Sequence, residues 1–168
     1  MWRNVQIKIS SNKKVNKIDD MTNNIPSRFK EEKMQETLFV KNIFKKLKST
    51  SSRKEKINIL EKNKNNGMFV TCLQFLLDAG ILTGLSKKKL SKKIGNIECK
   101  KIYSIYDMID YLSENNSGRD VDIKTIQLFL EKNKELEEFI IGIATKTIKL
   151  GISCKTVNKI MPGLIKEY

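Results

Sequence analysis

The chain has 168 residues, with 33 Lys and Arg against 19 Asp and Glu, so its formal net charge at pH 7 is +14. This length suits one ordinary domain, and the positive balance favours a polyanionic partner, because each neutralised phosphate releases condensed counterions. The absence of histidine excludes Ser-His and Cys-His nucleophile pairs and histidine metal ligands. The alternative for the charge is a Lys- and Asn-rich composition of the kind that AT-rich genomes produce.

Residues 1–35 are polar, rich in Asn and Lys, and show no sustained periodicity. They predict a mobile basic N-terminal tail, followed by a folded domain over 36–168. The tail carries eight basic and four acidic residues, a net charge of +4, which leaves +10 for the domain. The tail is therefore not the main source of the charge.

Apolar residues at three- and four-residue spacing begin at Glu36 and predict an amphipathic helix; they are Leu38, Phe39, Ile43, Phe44 and Leu47. Ser52 and Glu55 form the pattern of a capping box, and the helix that they open carries Ile57, Ile59 and Leu60. A third, more apolar helix over Met68–Asp78 is expected to be central in the core. Gly80 would end it as a C′ glycine.

The segment Ile81–Lys101 holds seven lysines and one glutamate, and it predicts an extended loop or short irregular helix. Helical spacing returns at Ile105–Leu112, and Asn115–Gly118 breaks it. Asp122 is predicted to cap the next helix, and Leu136–Leu150 to form another that Gly151 ends. Ser153 would start a short final helix, closed by Pro162 and Gly163. No strand pattern is present, so we predict an all-α bundle of six or seven helices.

The lysine run is the first candidate binding surface, and it consists of Lys87, Lys88, Lys89, Lys92 and Lys93. Such runs are often only a solvated face. Here, however, a net charge of +6 is concentrated between Ile81 and Lys101, which favours tracking of a phosphate backbone. Arg119, after Gly118, is a further candidate phosphate clamp.

The second candidate surface is the turn around Gly151 and the helix that follows it. A helix ended by glycine and then a Ser-capped helix bring backbone amides to the surface, and such amides suit a phosphate. Ser153 and Thr156 add hydroxyls, while Asn158 and Lys159 have the reach for a phosphate or a minor-groove edge. The alternative is an ordinary helical hairpin with a capping serine.

The stretch Leu150–Ile165, LGISCKTVNKIMPGLI, resembles the end of the N-terminal DNA-binding domain of phage-type ATP-dependent DNA ligases. Ile59–Asn66, ILEKNKNN, is similar to the second helix of that domain, and Ser117-Gly118-Arg119 lies where the family has a Gly turn before a helix. The resemblance covers roughly Gln35 to Ile165. It implies a domain that lies on the minor groove across a nick and grips duplex DNA without reading its sequence.

The resemblance also implies what this chain does not do alone. Ligases of this family carry AMP on the lysine of a Lys-x-Asp-Gly motif that follows the DNA-binding domain, and no such motif occurs before Tyr168. The near match Lys17-Ile18-Asp19-Asp20 lacks the glycine and lies on the wrong side of the domain. We therefore expect no nick sealing by this chain and no cofactor in it. ATP and Mg²⁺ would belong to a catalytic part, supplied by a separate ligase chain if one exists.

Two alternatives to this function remain open. A basic helical adaptor or inhibitor would expose an apolar patch, which single-faced helices do not predict. A helix-turn-helix repressor would need a longer and more polar recognition helix than the final one.

The start of the folded region and the cellular compartment are further expectations. The resemblance implies a start near Met34, so we expect residues 1–33 to be an addition, either a basic arm or translated upstream sequence, whose deletion leaves folding intact. Three scattered cysteines, Cys72, Cys99 and Cys154, favour reduced thiols rather than disulfides or zinc. We expect a cytoplasmic protein without a membrane span, in the host cytoplasm if the gene belongs to a phage.

Overall fold

The computed structural model describes residues 26–168. In this range the regular secondary structure is all helical, with loops between the helices and no strand. The α-helices are α1 (Ser27–Ser49), α2 (Arg53–Asn63), α3 (Gly67–Leu77), α4 (Lys87–Leu90), α5 (Ile105–Glu114), α6 (Asp120–Lys132), α7 (Glu137–Ala144) and α8 (Cys154–Ile160). A 3-10 helix, Lys134–Leu136, precedes α7. The all-α prediction is confirmed, and the helix beyond the predicted six or seven is the one-turn α4.

Helix α1 begins at Ser27, so the helix start that apolar spacing predicted at Glu36 was wrong by nine residues. Arg28 and Glu32 form an ion pair of 3.4 Å at i,i+4, and the Lys33 ammonium lies 5.7 Å from the Phe29 ring centroid. Such local pairs favour a helix without an apolar stripe, which explains why periodicity missed it. The rest of the predicted tail, residues 1–25, lies outside the described residues. Gln35–Tyr168 forms one folded unit.

The core of this unit is built around three aromatic rings from α1, α3 and α7. The Phe44 ring meets Phe69 and Phe139 edge to face, with centroids 5.6 and 5.4 Å apart. Helix α3 is central as predicted, since Met68, Phe69, Cys72 and Leu73 are fully buried. Phe39 is 55% exposed, so its predicted place on the buried face of α1 was wrong.

The N-caps predicted for α2 and α6 are only partly correct. The Ser52 hydroxyl accepts the Glu55 amide at 3.3 Å, but the Glu55 carboxylate bonds to the Thr50 hydroxyl, so only half of the capping box forms. Helix α6 begins at Asp120, and Arg119 rather than Asp122 holds its N-cap position. Asp122 instead accepts the Arg119 amide at 2.9 Å.

Gly80 and Gly151 do not end helices as predicted. Helix α3 ends at Leu77 with Asp78 at its C-cap, and a Cβ on Gly80 would collide with the Tyr168 ring. Helix α7 ends at Ala144, well before Gly151. Gly80 is therefore needed for the close approach of Tyr168, whose hydroxyl donates to the Asp78 carboxylate at 2.9 Å.

The early end of α7 depends on Lys146, which has a left-handed backbone with φ +54°. The Thr147 amide donates to Gly142 O at 3.0 Å and the Lys146 amide donates to Ile143 O at 3.0 Å. These two bonds form a Schellman motif, in which glycine usually holds the left-handed position. The Lys146 ammonium compensates for the backbone strain by donating to Asp78 O and, at 2.6 Å, to Ile81 O. Burial lowers the pKa of this ammonium, and the charge of Asp78 opposes that shift.

The cysteines are free thiols, and the buried position expected of them holds for Cys72, whereas Cys99 and Cys154 are half-buried. Burial, and secondarily the charge of Glu36, raises the pKa of the Cys72 thiol to about 12. Among residues 26–168 no helix combines the length and the apolar character needed to cross a membrane.

Candidate nucleic-acid interface

The lysine run forms an exposed loop that is fixed to α6. We call residues 86–93 the lysine loop; its five lysine side chains are exposed, and Leu90 is buried beneath them. The Gln127 side-chain amide of α6 donates to Leu90 O at 2.9 Å and to Lys92 O at 2.8 Å. The loop therefore presents its charge from a defined backbone, although it contains only one helical turn.

Two glycines bring the lysine loop against the turn that precedes α6. Gly84 and Gly118 have left-handed φ values of +65° and +59°. A Cβ on Gly84 would lie 2.5 Å from Asn116 O, and a Cβ on Gly118 would lie 2.7 Å from the Gly84 carbonyl carbon. Only glycine fits both the conformation and the space at this crossing. The lysine run and Gly118-Arg119 were predicted as separate candidate sites. The glycine crossing places them on one surface.

The five lysines of the loop have different surroundings. The Lys89 ammonium donates to Gly84 O at 2.6 Å and supports the glycine crossing from within. The Lys92 ammonium lies 2.7 Å from an Asp120 carboxylate oxygen, in a pair that is about half exposed. In the part of the chain that the structure describes, the side chains of Lys87, Lys88 and Lys93 form no hydrogen bond or ion pair. These three are the charges that a phosphate could meet at least cost.

Arg119 lies beside the loop, but its guanidinium already has protein partners. It donates to both carboxylate oxygens of the fully buried Asp122 at 3.1 Å, and to Asn115 at 3.1 Å. The Tyr111 hydroxyl donates to the same carboxylate at 2.7 Å. Burial would raise the pKa of Asp122, but the hydrogen bonds from Arg119 and Tyr111 outweigh it, so this pKa lies below its ordinary value. With 59% of its side chain exposed, Arg119 keeps an open face, and phosphate contact by it stays a prediction.

The second candidate surface is built separately, on α2 and α8. Ser153 caps α8 as predicted, because its hydroxyl accepts the Thr156 amide at 3.2 Å and lies 3.0 Å from the Thr156 hydroxyl. Gly151 has φ +63° and adjoins the Lys56 ammonium. The cap satisfies one of the backbone amides that we expected to be open to a phosphate, and α8 has only seven residues. These features support a stable hairpin more directly than an anion site.

Asn158 is bonded to the backbone of its own hairpin. Its Oδ1 accepts the Ile165 amide at 2.8 Å, and its Nδ2 donates to Ile165 O at 2.8 Å and to Glu167 Oε1 at 3.3 Å. Lys159 is exposed, and within the described residues its side chain has no bonded partner. Of these two, Lys159 is therefore the side chain that is not used in the hairpin itself.

Sequence reasoning missed Lys56, which organises this second surface. The side chain is only 8% exposed, and its ammonium donates to Leu150 O at 2.6 Å and to Gly151 O at 3.3 Å. The four-residue spacing between Lys56 and the buried Leu60 was the available signal, because it places both on one face of α2. A lysine at such a position is normally assigned to solvent.

Comparisons of the chain with models of protein families, with curated proteins and with solved structures found no match. The resemblance to ligase DNA-binding domains therefore rests on Leu150–Ile165 and the two shorter segments, and the function that it implies is a proposal.

Proposed function

We propose that residues 35–168 bind duplex and nicked DNA through the phosphate backbone and the minor groove, without reading sequence. The lysine loop carries this proposal, because it exposes Lys87, Lys88 and Lys93 from a backbone fixed by Gln127 and by the glycine crossing. Lysine is a flexible point charge that suits phosphate contact more than base recognition. A surface of this kind gives affinity that is sensitive to salt and indifferent to sequence.

The biological role that we propose is the DNA-binding portion of an ATP-dependent DNA ligase, in replication, repair and recombination. It depends on the resemblance of Leu150–Ile165 to that family. The domain would hold the duplex while a ligase catalytic part, with its ATP and Mg²⁺, seals the nick. Whether that part belongs to a separate chain can be tested by adding such a chain to a nick-sealing assay.

The test is binding of the whole chain to matched nicked, intact and single-stranded DNA over a salt series. Replacing Lys87, Lys88 and Lys93 together with Ala should weaken duplex binding. The slope of log K against log salt should fall by about 0.9 for each phosphate that is no longer neutralised. The matched control replaces three exposed lysines of α1, namely Lys45, Lys46 and Lys48. Equal effects of the two triple variants would show that affinity follows net charge alone, and would contradict the proposal.

The second candidate function is an adaptor or inhibitor that binds protein through a basic surface. The observation that favours it is the exposure of two large apolar side chains, Leu82 at 68% and Tyr168 at 75%. Both belong to segments near Gly80, which Tyr168 contacts directly. A DNA-binding role through the lysine loop predicts that Leu82→Ser leaves duplex affinity unchanged. An adaptor would show only the duplex affinity expected from its net charge.

A further inference from the structure

An open groove of about 390 Å³ lies between the lysine loop and α6. This volume falls within the ~300–1,000 Å³ of sites that take small ligands. The segment after the lysine loop forms one wall through Ile94, and α6 forms the other through Lys124, Gln127 and Leu130. The proposed DNA-binding surface therefore contains a groove next to its exposed lysines.

The groove has an apolar floor and a charged rim. Leu90 and Leu130 are buried and Ile94 is half-buried, whereas the rim lysines Lys92, Lys93 and Lys134 are exposed. Lys124 lines the groove as well and is half-buried. Four lysines against two glutamates leave the lining with a net positive charge. An occupant should therefore combine an apolar face with a negative group.

The free hydrogen-bond acceptors of the groove place a further requirement on its ligand. The Gln127 Nε2 atom uses both of its hydrogens on the carbonyls of Leu90 and Lys92. Its Oε1 has no hydrogen-bond donor among the described residues, so it remains free to accept one. The carboxylates of Glu131 and Glu137 are acceptors too. A suitable ligand thus presents N–H donors near its apolar face and a phosphate toward the lysines.

We propose that this groove binds a single nucleotide that is not base-paired, such as a one-nucleotide flap at a nick. The base would lie on Leu90, Ile94 and Leu130, its amino or imino groups would donate to Gln127 Oε1, and its phosphate would meet Lys93 and Lys124. A paired base cannot enter, because its faces are stacked and its donor edge is occupied. An acidic peptide fits less well, since it lacks the flat apolar face. The proposal rests on the proposed DNA binding and adds a preference for unpaired nucleotides.

The experiment compares a nicked duplex that carries one unpaired 2-aminopurine nucleotide at the nick with the same duplex lacking it. The chain should bind the flapped duplex at least about fivefold more tightly, as expected for one well-placed base. The fluorescence of the 2-aminopurine should change on binding. Ile94→Ser and Lys124→Ala should remove both the preference and the fluorescence change. Ile97→Ser and Lys45→Ala, which alter exposed side chains outside the groove, should keep both.

The outcomes separate this inference from the proposed function. Duplex binding with no flap preference and no fluorescence change overturns the groove and leaves the DNA-binding proposal intact. No duplex binding, but capture of a short 2-aminopurine strand that Ile94→Ser abolishes, supports the groove and rejects duplex binding. Equal competition by an oligoglutamate peptide of matched charge overturns a nucleotide as the occupant.

Discussion

Lys56 shows how one buried residue can determine the position of a surface turn. Its ammonium is close to two backbone carbonyls, Leu150 O at 2.6 Å and Gly151 O at 3.3 Å, and it has no carboxylate partner in the described residues. Carbonyl oxygens in a turn outside any helix need donors when they are buried. The lysine supplies them from α2, and it thereby joins α2 to the start of the α8 hairpin.

Lys56→Met tests this role, because methionine keeps much of the side-chain length and removes the donor. The free energy of unfolding should fall by about 2 kcal/mol, since two carbonyls lose a charged donor. Urea denaturation measures the change. Lys54→Met, at an exposed position of the same helix, should stay within ~0.5 kcal/mol of the parent. Similar values for the two variants would mean that water replaces the ammonium at no cost.

Asp122 gives a second residue-scale prediction, on acid stability. Its folded pKa lies below its ordinary value, because Arg119 and Tyr111 bond the carboxylate more strongly than burial disfavours it. A depressed pKa contributes stability that is present above the unfolded value, about 3.9, and is lost as the pH falls through the folded value. Stability should therefore decline below about pH 4, and Asp122→Asn should flatten that decline.

The Asp122 prediction is checked by urea midpoints measured from pH 2.5 to pH 7 (~0.5 pH steps), a window chosen to bracket the unfolded pKa. Asp110→Asn, at an exposed position of α5, is the control and should keep the acid decline. An unchanged decline in Asp122→Asn would place the acid sensitivity in other carboxylates.

At the scale of elements, local pattern predicted where helices exist, and tertiary contacts decided where they end. Three- and four-residue spacing indicated α1 and α5, the apolar run after Gly67 indicated α3, and Ser153 was identified as a cap from its position alone. The end of α7 could not be predicted, because it falls at Lys146, a non-glycine residue with a left-handed backbone whose ammonium bonds to Asp78 O and Ile81 O in a distant part of the chain.

The candidate site was predictable as a set of charged segments, but the use of each side chain was not. Lys89, Asn158 and Arg119 have internal partners, and nothing in their immediate sequence distinguishes them from Lys88 or Lys159. The Lys89 acceptor exists because two glycine segments cross. The partners of Asn158 include backbone atoms of Ile165. The sequence alone cannot predict these hydrogen-bond partners, because they depend on which backbone carbonyls and amides the folded structure leaves without another partner.

The glycine crossing can be tested as an element that positions the lysine loop. Gly118→Ala adds a Cβ against the Gly84 carbonyl at a left-handed φ, so it should cost about 2 kcal/mol or more in unfolding free energy. It should also weaken duplex binding, because the loop backbone must move. Gly95→Ala is the matched control, since no atom lies within 4 Å of its Cβ. If Gly118→Ala lowers stability and leaves duplex affinity unchanged, the crossing is structural only.

At the scale of the whole molecule, most of the positive charge belongs to the part that carries both candidate surfaces. Residues 36–168 hold +10 of the total +14. The side chains of residues 26–32 are exposed, while the first buried side chains of α1 are Thr37 and Val40. Shortening α1 at its N-terminal end thus removes no buried side chain among the described residues.

A variant that begins at Met34 should therefore unfold in one cooperative thermal transition, close in midpoint to the full chain. Its duplex affinity should show nearly the same salt slope, because the lysines that would contact phosphate remain. Calorimetry and a salt series on one DNA duplex measure the two quantities. Loss of cooperative unfolding would show that residues 1–33 are part of the fold. A large fall in slope with unfolding intact would instead move the phosphate contacts to those residues and away from the lysine loop.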